Sequence, residues 1–169
     1  MNQHSFRHIV VMGVSGSGKT TVGEALSPLV GLEYRDGDDM HPQANIDKMA
    51  AGIPLNDADR EPWLQQISQW LADRPEGAMV SCSALKRKYR DLIREYCPAV
   101  VFVHVHGDFD VLHERMQHRP GHFMPASLLQ SQFDTLEPLE EDETGRVFDV
   151  TRPVEEIAQE AAAWIKAGA

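Results

Sequence analysis

The chain has 169 residues, with 16 Lys plus Arg against 26 Asp plus Glu, a net charge of −10 and a hydrophobic fraction of 42%. That length fits one domain whose core needs no disulfide staples, and the ordinary apolar and charged fractions exclude wholesale disorder. Such acidity argues against nucleic acid or an anionic membrane as partner, so an anionic ligand must be held by a local cluster of donors.

His8 to Met12 is short, apolar and β-branched, and reads as a buried strand. Gly13 to Gly18 follows as a Gly/Ser loop. Lys19 to about Leu29 has Val22, Ala25, Leu26 and Leu29 at helical spacing, with Pro28 expected to kink or end the helix and Gly31 to stop it. A second, short strand starts at Leu32 to Arg35. A helix is expected from Pro42 to Ala51, closed by Gly52. Asp57 or Asp59 is expected to cap the next helix, which carries Trp63, Leu64, Ile67, Trp70 and Leu71 on one side.

Ala78 to Cys82 is a third strand and Lys86 to Glu95 a charged helix. Val100 to Val105 is a fourth strand, nearly unbroken in its apolar character, as expected for a sheet covered on both faces. Asp108 caps a helix reaching roughly Arg119. Arg146 to Val150 forms a fifth strand and Pro153 to Lys166 the last helix. The alternation of strand and helix predicts an α/β fold: three layers, α/β/α, around a mostly parallel sheet in one domain. Glu137 to Glu143 holds five acids in seven residues and reads as a solvated face.

Cys82 and Cys97 match neither a disulfide framework nor a zinc site. His104 and His106 alternate with Val103 and Val105 and read as structural, and no histidine-bound metal is expected. No apolar stretch is long enough for a bilayer, and Met1 to His8 has no apolar core of a signal peptide. The default location is the cytoplasm.

Gly13-Val14-Ser15-Gly16-Ser17-Gly18-Lys19-Thr20 matches G-x-x-x-x-G-K-[ST] in full, between a predicted strand and a predicted helix. The glycines let the backbone curl around an anion, and the helix N-terminus adds unpaired N–H groups. Lys19 is placed to reach the β- and γ-phosphates of a bound nucleotide, and the Thr20 hydroxyl to ligate Mg²⁺. Gly13 to Thr21 is the expected nucleotide cradle. Strand two ends in Asp36-Gly37-Asp38-Asp39, at the end of the sheet where ligands bind in open α/β folds. Phosphoryl transfer to an alcohol needs a group to orient the hydroxyl and help in holding Mg²⁺. Asp38 is assigned the first task and Asp36 the second, through water.

These blocks, with His41-Pro42, Asn45-Ile46-x-Lys48-Met49, Pro54-Leu55-Asn56-Asp57-x-Asp59-Arg60-x-Pro62-Trp63, Cys82 to Lys86, Tyr89-Arg90-Asp91, Gly107-Asp108-Phe109, Arg119-x-Gly121-His122-Phe123 and Gln132-Phe133, resemble gluconokinases of the phosphate-loop type. The resemblance covers about residues 8 to 165. It implies ATP-dependent phosphorylation of D-gluconate at its terminal hydroxyl, a shikimate-kinase-like sheet of five parallel strands in order 2-3-1-4-5, and a homodimer. Another small kinase of the same fold, for shikimate or a nucleoside monophosphate, is the alternative. A slowly hydrolysing nucleotide switch fits less well, because no guanine-reading N-K-x-D is present.

A sugar acid needs a cation for its carboxylate and hydrogen-bonding groups for its hydroxyls. Lys86 and Arg90, from the basic run Lys86 to Arg94, are candidates, as are Lys48, Arg60, Ser83 and His41. The segment around 115–125 is expected to act as a lid that brings Arg119 to the transferred phosphoryl group, with Arg115 touching the nucleotide. Trp63 and Trp70, seven apart, read as core.

Overall fold

The computed structural model describes residues 8–14, 16–117 and 126–167. Its elements in chain order are β1 (His8–Met12), α1 (Lys19–Val30), β2 (Tyr34–Asp36), a 3-10 turn (Gly37–Met40), α2 (Gln43–Ala50), α3 (Asp57–Ala72) and β3 (Ala78–Ser81). Then follow α4 (Arg87–Tyr96), β4 (Val101–His106), α5 (Phe109–Gln117), α6 (Ala126–Thr135), β5 (Gly145–Asp149) and α7 (Val154–Lys166). The five strands form one parallel sheet in the order β2-β3-β1-β4-β5. In β3, and in β1 from Ile9 to Met12, successive residues are buried whichever way they point. Both faces of the sheet are therefore covered, which is why these strands read as unbroken apolar runs.

Several local expectations change. Helix α1 runs through Pro28 to Val30. A proline in the last turn forfeits one intrahelical bond, and the end is closed instead by Gly31, whose φ of 70° lets its N–H reach the Ser27 carbonyl at 2.8 Å. Helix α3 is capped by Asn56, not by Asp57 or Asp59. The Asn56 side chain accepts from the Asp59 amide, and the Asp59 carboxylate accepts from the Asn56 amide, a reciprocal capping box. Helix α6 was not expected. Only Leu128 and Leu129 are buried within it, too few apolar positions to mark a helical stripe.

The acidic run 137–143 is not a uniformly solvated face. Glu143 is buried against Arg90 and Arg94, and Arg87 pairs with Glu140 and Asp142. Two runs of opposite charge, some 50 residues apart, thus neutralise each other. Among the described residues no helix is long and apolar enough to cross a membrane.

Candidate active site

The phosphate loop leaves β1 and enters α1 at the carboxyl end of the sheet. Gly13 passes so close to β4 that a Cβ there would lie 2.5 Å from the Val105 carbonyl oxygen. Gly18 is the N-cap of α1, in a left-handed conformation with φ 92° and no side-chain cap, and the first turn carries no acid. The leading N–H groups of the helix are therefore left for an anion. The Ser17 hydroxyl is buried with no hydrogen-bond partner among the described residues. Lys19 is buried, and its Nζ donates to the Val14 carbonyl at 3.2 Å, curled back over the loop. An orphaned hydroxyl, a free helix N-terminus and a confined ammonium together fit a polyphosphate. Ser15, assigned to this cradle from the sequence, lies outside the described residues.

Thr20 donates from Oγ1 to Asp36 Oδ2 at 3.0 Å. The other Asp36 oxygen accepts from Ser81 Oγ at 3.1 Å and from the Asp38 amide at 2.9 Å. Asp36 is thereby fixed as an acceptor beside the Thr20 hydroxyl, the pairing needed to hold a hydrated Mg²⁺. The reach from β2 to β3 depends on Gly37, where a Cβ would lie 2.1 Å from the Ser81 carbonyl oxygen.

Beside the loop lies a cavity of about 200 Å³ lined by Lys19, Asp38, His41, Met49, Pro54, Leu55, Arg60, Trp63, Ser83, Leu128, Ser131 and Gln132. The Asp38 side chain meets solvent in this cleft, yet the protein crowded around it pushes its carboxyl up from the usual range. Lys19 opposes that shift, and Asp36 and Asp39 add to it. His41 stacks on Trp63 with ring centroids 4.0 Å apart. Burial and the Arg60 charge lower its pKa to about 4, against the pull of Asp36, so its imidazole is neutral at pH 7. Asn45 Nδ2 sits 3.2 Å from His41 Nδ1 and fixes the ring. Trp63 donates from Nε1 to the Gly37 carbonyl at 2.8 Å, tying α3 to the acidic turn. Arg60 is buried, with Nη1 donating to Tyr89 Oη at 2.9 Å.

The structure sorts the expected acceptor residues. Asp38, His41, Arg60 and Ser83 line the cavity, with Lys19 beside them. Lys48, Lys86 and Arg90 do not. Lys48 is spent on Asp59 at 2.8 Å and Lys86 on Asp57 at 3.2 Å. Arg90 is fully buried on Glu143. Arg115 points to β5, where its Nη2 donates to the Val150 carbonyl at 2.8 Å. Arg119 lies outside the described residues, as does most of the expected lid. The sequence reading missed Trp63, whose core spacing hides a ring that also forms the cavity wall, and Leu128 and Ser131 on the unexpected helix α6. Gln132 stood in a quoted block but was given no role. Met49, Pro54 and Leu55 stood in quoted blocks too.

A phosphate cradle at the head of a 2-3-1-4-5 parallel sheet, with a carboxylate and the loop lysine lining one small cavity beside it, defines a phosphate-loop kinase. Residues 9–124 match the family described as AAA domain. The chain is 44% identical over 155 residues to the thermosensitive gluconokinase of Escherichia coli K12, covering 89% of this chain and 83% of that protein. It is 49% identical over 140 residues to a gluconokinase of Gluconobacter oxydans, covering 81% and 79%. It superposes on the crystal structure of a gluconokinase from Sinorhizobium meliloti with a TM-score of 0.89 at 52% identity, covering 96% of this chain and 93% of that one. The chain belongs to the gluconokinase family. A shikimate kinase from Acinetobacter baumannii shares the fold with a TM-score of 0.60 at 16% identity.

Proposed function

We propose that the chain transfers the γ-phosphoryl group of ATP to the terminal hydroxyl of D-gluconate, releasing ADP and 6-phosphogluconate. The observation that carries this reading is one cavity holding Lys19, Asp38 and Arg60 together. Lys19 and the amides of the loop take the triphosphate. Asp38 orients the acceptor hydroxyl and receives its proton as oxygen attacks phosphorus, and burial brings its carboxyl closer to the working pH of a base. Arg60 holds the acceptor's carboxylate, because among the described residues it and Lys19 are the cations in the cavity wall. Neutral His41, Ser83 and Gln132 are placed for the hydroxyls. The volume of about 200 Å³ falls below the roughly 300–1,000 Å³ of sites for drug-sized ligands, which favours a six-carbon acid over a nucleoside monophosphate.

Thr20 and, through water, Asp36 would hold Mg²⁺. That ion, when bound, neutralises charge on the phosphate oxygens. Arg119, argued from the sequence alone, supplies a further cation to the transferred group, and Arg115 a contact to the nucleotide. A homodimer in the cytoplasm completes the reading, and sedimentation of the purified chain tests the first part of it. The central test measures ADP release with ATP and Mg²⁺ over a panel of D-gluconate, shikimate and nucleoside monophosphates. Release that depends on D-gluconate is expected. Release that depends on another acceptor, or on none, sinks the proposal.

A further inference from the structure

Arg90 lies on the inner side of α4 with its side chain 0% exposed, and Glu143 facing it is equally buried. Nε and Nη2 of the guanidinium donate to the two Glu143 oxygens at 2.7 and 3.0 Å. The remaining donors do not stay within the pair. Nη1 donates to the Ala84 carbonyl at 2.9 Å and Nη2 to the Pro138 carbonyl at 3.3 Å. The first carbonyl directly follows the cavity residue Ser83, and the second lies in the segment after α6, a helix that lines the cavity.

Ala84 directly follows Ser83, a cavity residue, and is the one non-glycine among the described residues with a positive φ, at 46°. A left-handed alanine costs about 1–2 kcal/mol and persists only where its surroundings impose it. Here the Arg90 hydrogen bond to the Ala84 carbonyl is one of the contacts that hold it, beside those on the flanking Ser83 and Leu85 carbonyls. The Ser83 carbonyl in turn accepts from the Gly13 amide at 3.3 Å, which registers this wall against the phosphate loop. Pro138 and Glu143 lie in the segment after α6, the helix that supplies Leu128, Ser131 and Gln132 to the cavity. That segment is fastened to the β3–α4 corner a second time by the Glu137 amide on the Leu85 carbonyl at 2.6 Å. Glu143 is braced by the Glu140 amide at 2.9 Å and by Arg94 at 2.9 Å.

We propose that the Arg90–Glu143 pair is a positioning unit that joins the Ser83 wall to the α6 wall and thereby sets the affinity of the acceptor cavity. The inference rests on the reading of that cavity as the acceptor site. Neither residue touches substrate. Arg90 acts through the carbonyls of Ala84 and Pro138, and Glu143 acts by holding the guanidinium plane in the orientation that reaches both.

A merely structural ion pair would behave differently. Replacing a buried pair by two well-packed apolar side chains is often neutral or stabilising, whereas removing one partner is strongly destabilising. The double variant Arg90→Met/Glu143→Met therefore separates the roles. It is expected to fold with a lowered melting temperature, because the Ala84 and Pro138 carbonyls lose their donor, and KM is read well below that temperature. Its KM for D-gluconate should rise at least about fivefold, with KM for ATP changed by less than about twofold. Arg90→Lys keeps the charge but cannot fork to both carbonyls, and the same KM split is expected. Glu143→Gln, which keeps shape and an acceptor oxygen, serves if the other two do not fold, with an expected rise of about threefold or more. A parental D-gluconate KM in any folded member of this set overturns the proposal. Parental chain that does not turn over D-gluconate at all instead overturns the functional reading beneath it.

Discussion

Asp36 and Asp38 stand two residues apart in different surroundings. Asp36 is held by Thr20, Ser81 and the Asp38 amide, so its oxygens are committed. Asp38 faces the cavity and its solvent, with its carboxyl pushed up by the protein crowded around it and held back by Lys19. Replacing Asp38 by Asn should lower kcat by about 10²-fold or more, the usual worth of a general base, while nucleotide binding measured by calorimetry stays near the parental value. The raised pKa also sets the acid limb of the rate profile. Activity falls as pH drops through the folded pKa of Asp38, and this occurs at higher pH than for an ordinary aspartate near 3.9. Arg60→Met should raise KM for D-gluconate roughly 10- to 100-fold, the ~1.5–3 kcal/mol of a charge-assisted hydrogen bond, in initial-rate measurements at saturating ATP. Arg119→Ala, argued from sequence, should lower turnover by about 10³-fold, and an unchanged rate removes that residue from the mechanism. The sequence shows Asp36, Asp38, Lys19 and Thr20 plainly, since their placement follows from a turn and a helix start. It does not distinguish Arg60 from Lys48, Lys86 and Arg90, because all four are basic residues in suggestive blocks. What separates them is the partner each meets in space.

Elements carry these side chains to the site, and their ends matter more than their middles. Helix α3 brings Arg60 and Trp63 to the cavity from its first two turns, and its start is set by the Asn56–Asp59 capping box. Asn56→Ala removes a cap worth about 0.5–2 kcal/mol. In a chain of this size the melting temperature should fall by roughly 2–8 °C, with a larger relative loss of D-gluconate affinity than of ATP affinity, as read by thermal unfolding and KM. The start of α3 was legible only to within a few residues, for Asn56, Asp57 and Asp59 are all good capping residues. Helix α6 was not legible. Its polar sequence buries two leucines, and its place is decided by the loop after it, which is strapped to α4 through Glu143 and Glu137. The strands β1, β3 and β4 were legible because burial on both faces leaves an apolar run, whereas the edge strands β2 and β5 are mostly not buried and carry charged residues.

At the scale of the whole molecule, the net charge of −10 coexists with a site built for anions. The acidic run 137–143 is partly consumed by the basic run of α4, and Arg60, Lys19 and the α1 N-terminus remain directed at the cavity. The core also carries a pH dependence. His104 is buried on β4 with neither ring nitrogen bonded among the described residues, and burial lowers its pKa to about 4. The unfolded chain binds that proton near pH 6.5 and the folded chain only near 4. Stability from His104 is therefore intact above 6.5 and is lost progressively as pH falls toward 4, roughly 2 kcal/mol of it by pH 5. Partly exposed His41 acts in the same direction and more weakly. His104→Leu should be at least as stable as the parent at pH 7 and should lose less between pH 7 and 5, as measured by denaturant midpoints.

By itself the amino-acid sequence determined the phosphate loop, the carboxylate pair that follows strand two, the parallel α/β layering and the family, because each depends on residues close together in the chain or on the period of apolar positions. Only the tertiary structure decided which cations line the cavity, that Trp63 and α6 wall it, and that Arg90 is buried against Glu143. Those outcomes turn on burial and on pairing between groups 11 to 53 residues apart, and a charged side chain's role is set by whether a partner reaches it first.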